Sequence, residues 1–323
     1  MKYSLLGPTG MRVSKVCLGT ATFGVAPSVQ DADAVVGAAL DLGVTFFDTA
    51  DVYGSTPTFD RPGAPPASER EPAETILGRA LAGRRDDVVL ATKSGERRFD
   101  PDAGLSRRYV IQQVEQSLRR LRTDHIDVYY GHFPDPDTPL EQTLSVYDDL
   151  IRQGKIRYAA LSNHPAWQMT EALWIADDRR LASAPVAAQV KYSLLDRSAE
   201  TELAAACTRF ALSIVPYGPL HGGLLADLSV LDREIAGDER YGGLGFSEEN
   251  IAVARELDRL AREWGLGMQQ ISLAWLLSRP AVASVIVGAE NVQEMRANAS
   301  AADIELTAEQ LDAVSALTAH LAE

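Results

Sequence analysis

Short apolar runs rich in Val, Ile, Tyr and Phe recur along the chain, and longer stretches with helical spacing of apolar residues separate them. The runs are apolar almost without a break, which is typical of strands that are covered on both faces, as in a parallel sheet. They lie at residues 16–20, 44–49, 88–93, 126–130, 156–162, 186–192, 213–217 and 285–288. The pattern therefore predicts eight parallel strands.

Helical spacing is clear at residues 109–121, 140–151 and 249–264. In the first stretch Val110, Val114 and Leu118 share one face, and Ser106 precedes it where an N-cap is expected. Eight strands alternating with helices are typical of a (β/α)8 TIM barrel, an α/β fold of about 250 residues. A doubly wound sheet is the rival, but it usually carries GxGxxG after its first strand, and this chain does not.

Further elements are predicted at both ends of the barrel. Residues 2–6 and 11–16 predict an N-terminal β-hairpin that closes the barrel bottom. Residues 307–321 predict an extra C-terminal helix, with Thr307 as N-cap and Gln310 completing a capping box. Residues 55–70, rich in Pro and Gly, and residues 224–246 predict irregular segments. Since no linker interrupts the pattern, we expect a single domain over residues 1–323.

Composition narrows the classes of function. The chain has 323 residues, a formal net charge of -14 and no long basic run, which argues against nucleic-acid binding. No apolar run approaches the roughly 20 residues of a membrane span, and the N-terminus lacks a signal peptide, so we expect no membrane partner and a cytoplasmic location. Two cysteines and five scattered histidines give no disulfide framework and no metal-ligand spacing, so no metal is expected.

Polar side chains stand at the ends of three successive predicted strands. Asp48 ends the second strand, Tyr53 follows on the next loop, Lys93 ends the third strand and His132 follows the fourth. Each alone would be read as a turn cap, a packing residue, a solvated lysine or a structural histidine. Because the carboxyl ends of barrel strands share one rim, where active sites lie, the four together indicate a site.

This set of side chains suits carbonyl reduction, which needs a hydride at carbon and a proton at oxygen. A phenol with a reference pKa of about 10 is a poor acid, but a Lys93 ammonium held by Asp48 would lower the pKa of Tyr53. His132 could donate a hydrogen bond to the carbonyl oxygen. Since no side chain donates hydride, a nicotinamide cofactor is required.

The sequence resembles the aldo-keto reductase superfamily over nearly its whole length. Seven motifs match in order: Phe46-Phe47-Asp48-Thr49-Ala50-Asp51-Val52-Tyr53-Gly54, Ala91-Thr92-Lys93-Ser94-Gly95, Ile126-Asp127-Val128-Tyr129-Tyr130-Gly131-His132, Leu161-Ser162-Asn163, Gln189-Val190-Lys191-Tyr192-Ser193, Pro216-Tyr217-Gly218-Pro219-Leu220, and Ile286-Val287-Gly288-Ala289 with Asn298 beyond it. The resemblance implies a catalytic tetrad of Asp48, Tyr53, Lys93 and His132.

The resemblance also implies where a cofactor binds. Ser162, Asn163 and Gln189 would hold the nicotinamide carboxamide, and Tyr217 would stack on its ring. Gly218, Pro219 and Leu220 would wrap the pyrophosphate. The residues expected to flank the adenosine end are Gly288, Glu290, Glu294 and Asn298, and further expected cofactor contacts are Gly19, Thr20, Asp48 and Gly222. Without the resemblance, most of these would be read as turn residues or as a satisfied interior amide.

Two departures from the family pattern matter. Where relatives commonly have Arg, Lys, Ser or Gln, this chain has Glu290 and Glu294, and carboxylates there would repel the phosphate that distinguishes NADP from NAD. Arg296 could compensate, so NADP(H) stays the expected cofactor and NAD(H) an open alternative. Residues 55–70 form an insert beside Tyr53, which we expect to be one wall of the substrate pocket. Aromatic candidates for further walls are Phe23, Phe59, Tyr130, Phe133 and Trp167.

Three functions remain open. The first is reduction of an aldehyde or ketone to an alcohol. The second is an NAD-dependent dehydrogenase that oxidises a sugar or an alcohol with the same tetrad. The third is a non-catalytic cofactor-binding subunit, like the barrel subunits of some potassium channels, which the resemblance reaches through residues 134–139. The expected partner is a small-molecule carbonyl or sugar substrate; the pattern specifies neither its identity nor the oligomeric state.

Overall fold

Eight parallel strands curl into a barrel in the computed structural model, which describes residues 1–57, 63–98, 102–232 and 245–321. The barrel strands are β3 (Val16–Gly19), β4 (Phe46–Asp48), β5 (Val89–Ser94), β6 (Ile126–Gly131), β7 (Ile156–Ser162), β8 (Ala187–Lys191), β9 (Ser213–Tyr217) and β10 (Val285–Val287). Sequence neighbours pair with each other, β10 pairs with β3, and Ile214 of β9 bridges Val282 just before β10. All eight predicted strands are confirmed.

A helix follows each barrel strand, so the predicted (β/α)8 barrel is confirmed. The helices are α1 (Val29–Asp41), α2 (Ala73–Ala80), α3 (Arg107–Leu121), α4 (Leu140–Arg152), α5 (Ala166–Arg179), α6 (Leu203–Arg209), α7 (Glu248–Trp264), α8 (Met268–Leu277), α9 (Val292–Ser300) and α10 (Ala308–Ala316). Two helices, α7 and α8, follow β9. The amphipathic pattern predicted α7 but not α8, because most of α8 is buried and it lacks a polar face.

The predicted helix caps are only partly confirmed. Ser106 does occupy the N-cap position of α3, but its side chain makes no capping bond. At α10 the capping box is present: Gln310 N donates to Thr307 Oγ1 at 3.2 Å and Thr307 N to Gln310 Oε1 at 2.9 Å. This extra C-terminal helix ends at Ala316, short of the predicted end, and a single 3-10 turn follows.

The N-terminal hairpin closes the barrel bottom, as predicted. Its strands are β1 (Tyr3–Leu5) and β2 (Arg12–Ser14), which pair antiparallel. Leu6 and Val13 are fully buried and join the cluster formed by the inward-facing residues of the barrel, such as Phe46 and Val128. The bottom of the barrel is thus filled by apolar side chains.

Side chains alternate along each barrel strand, so every second residue points inward. The inward-facing cluster is apolar and includes Phe46, Ala91, Tyr130, Ala160, Ala187 and Val215. Two positions further along the same strands stand Asp48, Lys93, His132, Ser162, Gln189 and Tyr217. A polar layer therefore lies on top of an apolar layer, at the carboxyl ends of the strands.

The two segments predicted to be irregular are partly described. Residues 55–57 and 63–70 contain one 3-10 turn, and Arg70 Nη2 donates to the Thr56 carbonyl. Residues 224–232 contain a second 3-10 turn, whereas residues 233–244 lie outside the described part of the chain. No described helix is both long and apolar enough to cross a membrane.

Candidate active site

A buried ion pair occupies the middle of the polar layer. Lys93 Nζ donates to Asp48 Oδ1 at 2.5 Å and to the Thr49 carbonyl at 2.8 Å, and neither charged side chain is more than 3% exposed. The second oxygen of Asp48 accepts from Gln189 Nε2 at 2.9 Å. Charges taken out of water need such partners, and here both ions have them.

Tyr53 lies against this pair from the loop after β4. Its Oη is 3.3 Å from Lys93 Nζ, which also lies 4.7 Å from the centre of the ring. The loop is held where Ala73 N donates to the Tyr53 carbonyl at 2.9 Å. Gly54 makes this approach possible: its φ is +84°, and a Cβ there would lie 2.7 Å from Ala73 N.

Burial controls the ionisation of Tyr53 and Lys93. Burial raises the pKa of Tyr53 above its ordinary value, and the Lys93 ammonium opposes this rise without overcoming it. The expectation that Lys93 brings this pKa below its ordinary value is therefore wrong for this structure. Burial alone would lower the pKa of Lys93, but Asp48 and Tyr53 raise it above its ordinary value. At neutral pH a protonated phenol thus faces an ammonium.

His132 stands beside Tyr53, just past the end of β6. Its ring is nearly perpendicular to that of Tyr53, at 81° and 5.8 Å between centres, and its backbone N donates to the Ser94 carbonyl at 2.8 Å. Burial lowers the pKa of His132 well below its usual range, and the charges of Lys93 and Arg98 act in the same direction. The imidazole is therefore neutral at pH 7.

Three of the expected nicotinamide contacts join the same rim. Asn163 has a φ of +61°. Its Nδ2 donates to the His132 carbonyl at 2.9 Å and to Ser162 Oγ at 3.1 Å, while its Oδ1 accepts from Tyr217 Oη at 2.9 Å. Burial raises the pKa of Tyr217 to about 12. Ser162, Asn163 and Tyr217 are therefore connected to His132. Both polar atoms of the Asn163 amide already form hydrogen bonds within the protein.

Gly19 and Thr20 hold Asp48 in place. Thr20 donates to the Asp48 carbonyl twice, from its N at 3.0 Å and from Oγ1 at 3.2 Å. A Cβ at Gly19 would lie 2.5 Å from Ile286 Cγ2, so only glycine fits between β4 and β10. This positioning of Asp48 was not predicted, and neither were the bonds from Gln189 to Asp48 and from Lys93 to the Thr49 carbonyl.

The residues expected at the pyrophosphate form a tight turn directly after Tyr217. Gly218 has a φ of +63° and Gly222 a φ of +68°, and His221 N donates to the Gly218 carbonyl at 3.0 Å. Pro219 and Leu220 lie inside this turn. The turn directly follows Tyr217 at the rim, and its contact with a pyrophosphate stays a prediction.

The residues expected at the adenosine end gather at the start of α9. Glu294 Oε2 accepts from Glu290 N at 3.0 Å, and Glu294 Oε1 accepts from Asn291 Nδ2 at 3.1 Å. Asn298 Nδ2 donates to the Gly288 carbonyl at 3.1 Å. A carboxylate therefore occupies the N-terminus of α9, where the helix dipole favours negative charge. Arg296 is exposed on the same helix.

The predicted aromatic pocket walls lie in different environments. Phe133 stacks on His132 with 5.3 Å between ring centres, which makes it a wall candidate. Phe23 is buried in the core between strands and helices, and Tyr130 lies in the apolar layer below the rim. Trp167 is 61% exposed, and Phe59 lies outside the described residues.

A further ion pair at the rim escaped the sequence analysis. Glu96, two residues beyond β5, is 3% exposed and binds the guanidinium of Arg98, with Oε2 3.0 Å from Nη2. The Arg98 guanidinium also lies 5.6 Å from the Phe133 ring. The only sequence signal for this pair is its place after the Lys93 strand. Among the described residues no three His, Cys, Asp or Glu side chains gather to hold a metal ion.

Comparison with known proteins shows the family to which the chain belongs. The sequence profile of the Aldo/keto reductase family matches residues 15–319. The chain belongs to this family. It is 35% identical over 320 residues to the uncharacterized oxidoreductase YrpG of Bacillus subtilis (strain 168), covering 96% of this chain and 94% of the relative.

Other relatives have different names. A probable voltage-gated potassium channel subunit beta of Oryza sativa subsp. japonica is 33% identical, covering 98% of this chain and 96% of the relative. An L-glyceraldehyde 3-phosphate reductase of Escherichia coli (strain K12) is 27% identical, covering 93% and 87%. This aldo/keto reductase is thus an enzyme of a class that reduces carbonyl groups of small molecules.

Proposed function

We propose that this enzyme reduces an aldehyde or ketone to an alcohol with NAD(P)H, and that Tyr53 is the proton donor. The observation that carries the proposal is the position of Lys93 Nζ, which binds Asp48 Oδ1 at 2.5 Å and Tyr53 Oη at 3.3 Å inside the barrel. A phenol next to a buried ammonium can give up its proton at less cost than a phenol alone.

The proton moves from Tyr53 Oη to the carbonyl oxygen of the substrate. The phenolic O–H bond breaks, an O–H bond forms on the product, and the electron pair stays on Tyr53 as a phenolate. Lys93 stabilises this phenolate and remains charged, because Asp48 and the Thr49 carbonyl accept hydrogen bonds from its ammonium group. Asp48 acts as a positioning residue that keeps the ammonium next to Tyr53.

His132 assists without giving up a proton. Since its pKa lies well below the usual range, the imidazole is neutral at pH 7 and can donate a hydrogen bond to the carbonyl oxygen. An imidazolium is not available there as an acid. This supports Tyr53, rather than His132, as the source of the proton.

The residues of the rim fit a nicotinamide cofactor, which when bound supplies a hydride to the carbonyl carbon. Ser162, Asn163 and Gln189 offer hydroxyl and amide groups that match a carboxamide, and Tyr217 offers a ring for stacking. Gly218 has no Cβ, so a pyrophosphate could approach the backbone of this turn closely. Asn163 would have to exchange one of its present partners for the cofactor.

Tyr53→Phe tests the proton donor, because it removes only Oη. We expect kcat to fall by about a thousandfold, with cofactor affinity changed by less than about threefold. Tyr129→Phe is the matched control, since Tyr129 Oη is also buried but bonds to Ser94 Oγ at 2.7 Å outside the inward-facing layer. Activity should be measured by cofactor consumption over a panel of aldehydes, ketones and sugars. Full activity of Tyr53→Phe would show that the acid is another group.

Glu294 supports use of NAD(H) beside NADP(H). Its carboxylate accepts a hydrogen bond from Glu290 N at 3.0 Å at the N-terminus of α9. A negative charge therefore already occupies the place where backbone N–H groups and the helix dipole would bind a ribose phosphate. We expect kcat/KM for NADPH and NADH to differ by less than about tenfold, and Glu294→Gln to shift the ratio toward NADPH by about tenfold. Glu309→Gln on α10 is the control. A roughly hundredfold NADPH preference in the unaltered enzyme would contradict this idea.

The same observation favours a second candidate function. If NAD is the working cofactor, the tetrad would serve an NAD-dependent dehydrogenase that oxidises a sugar or an alcohol, with the Tyr53 phenolate taking the proton. Faster turnover of sugars or alcohols with NAD than of carbonyls with NADH would favour it. The similarity to potassium channel subunits leaves a non-catalytic role as a third candidate, which cofactor binding without turnover on any substrate would support.

A further inference from the structure

A cavity of about 430 Å³ lies outside the barrel, between α4 and α5. It does not include any residue of the tetrad. Its apolar walls include Leu105, Leu140, Ile175 and the side chain of Trp174. His164 and Gln168 also line it, and each has one polar atom for which no described residue is a hydrogen-bond partner.

His164 presents a hydrogen-bond acceptor to this cavity. The residue is only 3% exposed, and its Nδ1 lies 2.8 Å from the Ser162 carbonyl. Because a carbonyl can only accept, Nδ1 carries the proton and Nε2 has a free lone pair. Burial lowers the pKa of His164 to about 4, so the ring is neutral at pH 7. No described residue donates to Nε2.

Gln168 presents a second acceptor. Its Oε1 is buried, and none of the residues that the structure describes donates a hydrogen bond to it. A buried acceptor without a donor costs free energy, and native proteins rarely leave one unmatched. Gln168 Oε1 is such an acceptor, and with the lone pair of His164 Nε2 in the lining of the same cavity the site suits a ligand that brings N–H or O–H groups.

The charged side chains that line the cavity indicate the charge of that ligand. Four carboxylates line the cavity, those of Asp135, Glu141, Glu171 and Asp178, against the single guanidinium of Arg179. Arg179 already pairs with Glu141, with Nε 3.0 Å from Oε1. Asp135 pairs with Arg97, with Nη2 2.6 Å from Oδ1, and Asp178 Oδ2 lies 3.5 Å from Arg179 Nε, so two guanidinium groups balance part of the four carboxylates. The remaining negative charge favours a cation.

Trp174 adds a surface for an organic body or a cation. It is 66% exposed at the edge of the cavity, and an indole ring attracts cations to its face more strongly than the other aromatic rings do. The apolar side chains of Leu105, Leu140 and Ile175 continue this surface inward. A ligand that matches both features has a charged donor group and an apolar or aromatic part.

We propose that the cavity between α4 and α5 binds a small primary-ammonium ligand with an aromatic or apolar body. The ammonium group donates to His164 Nε2 and Gln168 Oε1 and is attracted by the surrounding carboxylates. The body packs on Trp174 and the apolar wall. This site is independent of the proposed carbonyl reduction, so the inference stands or falls without it.

Isothermal titration of the full chain with 2-phenylethylammonium chloride tests the proposal. We expect one site per chain with a Kd of about 1 mM or below, and binding of the uncharged 2-phenylethanol at least about tenfold weaker. Trp174→Leu should weaken binding by about tenfold. Trp167→Leu is the matched control, because both tryptophans are exposed on α5 and only Trp174 lines the cavity; it should change Kd by less than about twofold.

Gln168→Leu provides a second variant, since it removes the buried acceptor and keeps the shape. We expect it to weaken binding of the ammonium probe by about tenfold and to leave the binding of 2-phenylethanol unchanged within about twofold. Circular dichroism checks that each variant is folded. Absence of saturable binding by the unaltered chain, equal affinity for the alcohol, or equal losses in the two tryptophan variants would each overturn the proposal.

Discussion

Two clusters of charged side chains flank the end of β4, one inside the barrel and one outside it. The inner cluster consists of Asp48, Lys93 and Tyr53 and lies inside the barrel. The outer cluster consists of Asp51, Glu74 and Arg120 and lies outside it, among β5, α2 and α3. In the outer cluster Arg120 Nη1 donates to Glu74 Oε2 at 3.2 Å and to the Asp51 carbonyl at 3.3 Å.

The two clusters differ in what surrounds them. In the outer cluster α2 and α3 pack closely together, because a Cβ at Gly78 of α2 would lie 2.6 Å from the Arg120 carbonyl of α3. Glu74 is fully buried there, and Arg120 is partly exposed. In the inner cluster the charged pair lies under a rim where Tyr53 and His132 meet. Both clusters compensate buried charge, but of the two only the inner one lies beside the rim residues that we propose to bind a substrate. Buried ion pairs alone therefore do not identify an active site.

The largest expected effect comes from removing the cation of the inner cluster. Lys93→Met keeps the length of the side chain but leaves the Tyr53 phenolate without its ammonium, so kcat/KM should fall by about a thousandfold or more. Steady-state kinetics on folded protein measure it, and Lys155→Met serves as a control at a partly exposed ion pair. If Lys93→Met keeps more than about a tenth of the activity, the inner cluster has no catalytic role.

Removing the cation of the outer cluster should cost stability instead. Arg120→Met leaves Glu74, which is fully buried, without its guanidinium. We expect the free energy of unfolding to fall by about 2 kcal/mol, less than for a fully buried pair because Arg120 is partly exposed, with kcat/KM unchanged within about threefold. Urea unfolding compares it with Arg119→Met on the exposed face of α3. A loss of kcat/KM like that of Lys93→Met would erase the distinction between the clusters.

The smallest expected effect concerns pH. Burial, together with the nearby Glu74, raises the pKa of Asp51 well above 3.8. The folded state therefore holds this proton more tightly than the unfolded state, and its contribution to stability is lost as pH rises through the folded pKa. Asp51→Asn stays neutral, so the free energy of unfolding of the unaltered chain should fall relative to that of the variant as pH rises above about 3.9, the reference pKa of an unfolded Asp.

Urea unfolding at several pH values checks this prediction. Parallel stability profiles of the two proteins across the range would show that Asp51 does not titrate in the folded state. The kcat and KM of Asp51→Asn should be unchanged. The hydrogen bonds that hold Lys93 next to Asp48 and Tyr53 do not involve the side chain of Asp51.

Periodicity was enough to predict the barrel, because strands buried on both faces leave a continuous apolar signal. It was not enough for α8, whose burial removes the polar face that marks a helix. The rim position of Asp48, Lys93 and His132 could be predicted from their place at strand ends. The inward orientation of Asp48 follows from its place two residues after Phe46 in β4. The outward position of Asp51 depends on how the chain turns after β4, which no pattern of apolar residues records.

The pKa values and hydrogen bonds of the site were harder to predict than the residues that form it. The sequence suggested that Lys93 would lower the pKa of Tyr53, but the depth of burial outweighs that attraction, and depth follows only from the assembled barrel. Likewise, Glu294 was recognised as an unusual carboxylate, but its bond to Glu290 N required the geometry of α9. The single domain, the substrate wall at residues 55–70 and the cofactor contacts stay predictions.

The hairpin of β1 and β2 has a consequence for the route by which molecules reach the inside of the barrel. Leu6 and Val13 fill the bottom of the barrel, so within the described part of the chain that end is closed and the rim is the open end. Under the proposed function, the substrate and the proton that restores Tyr53 Oη therefore reach it from the side of the rim. When two molecules occupy such a blind-ended space, the one that lies deeper has to enter first and leave last.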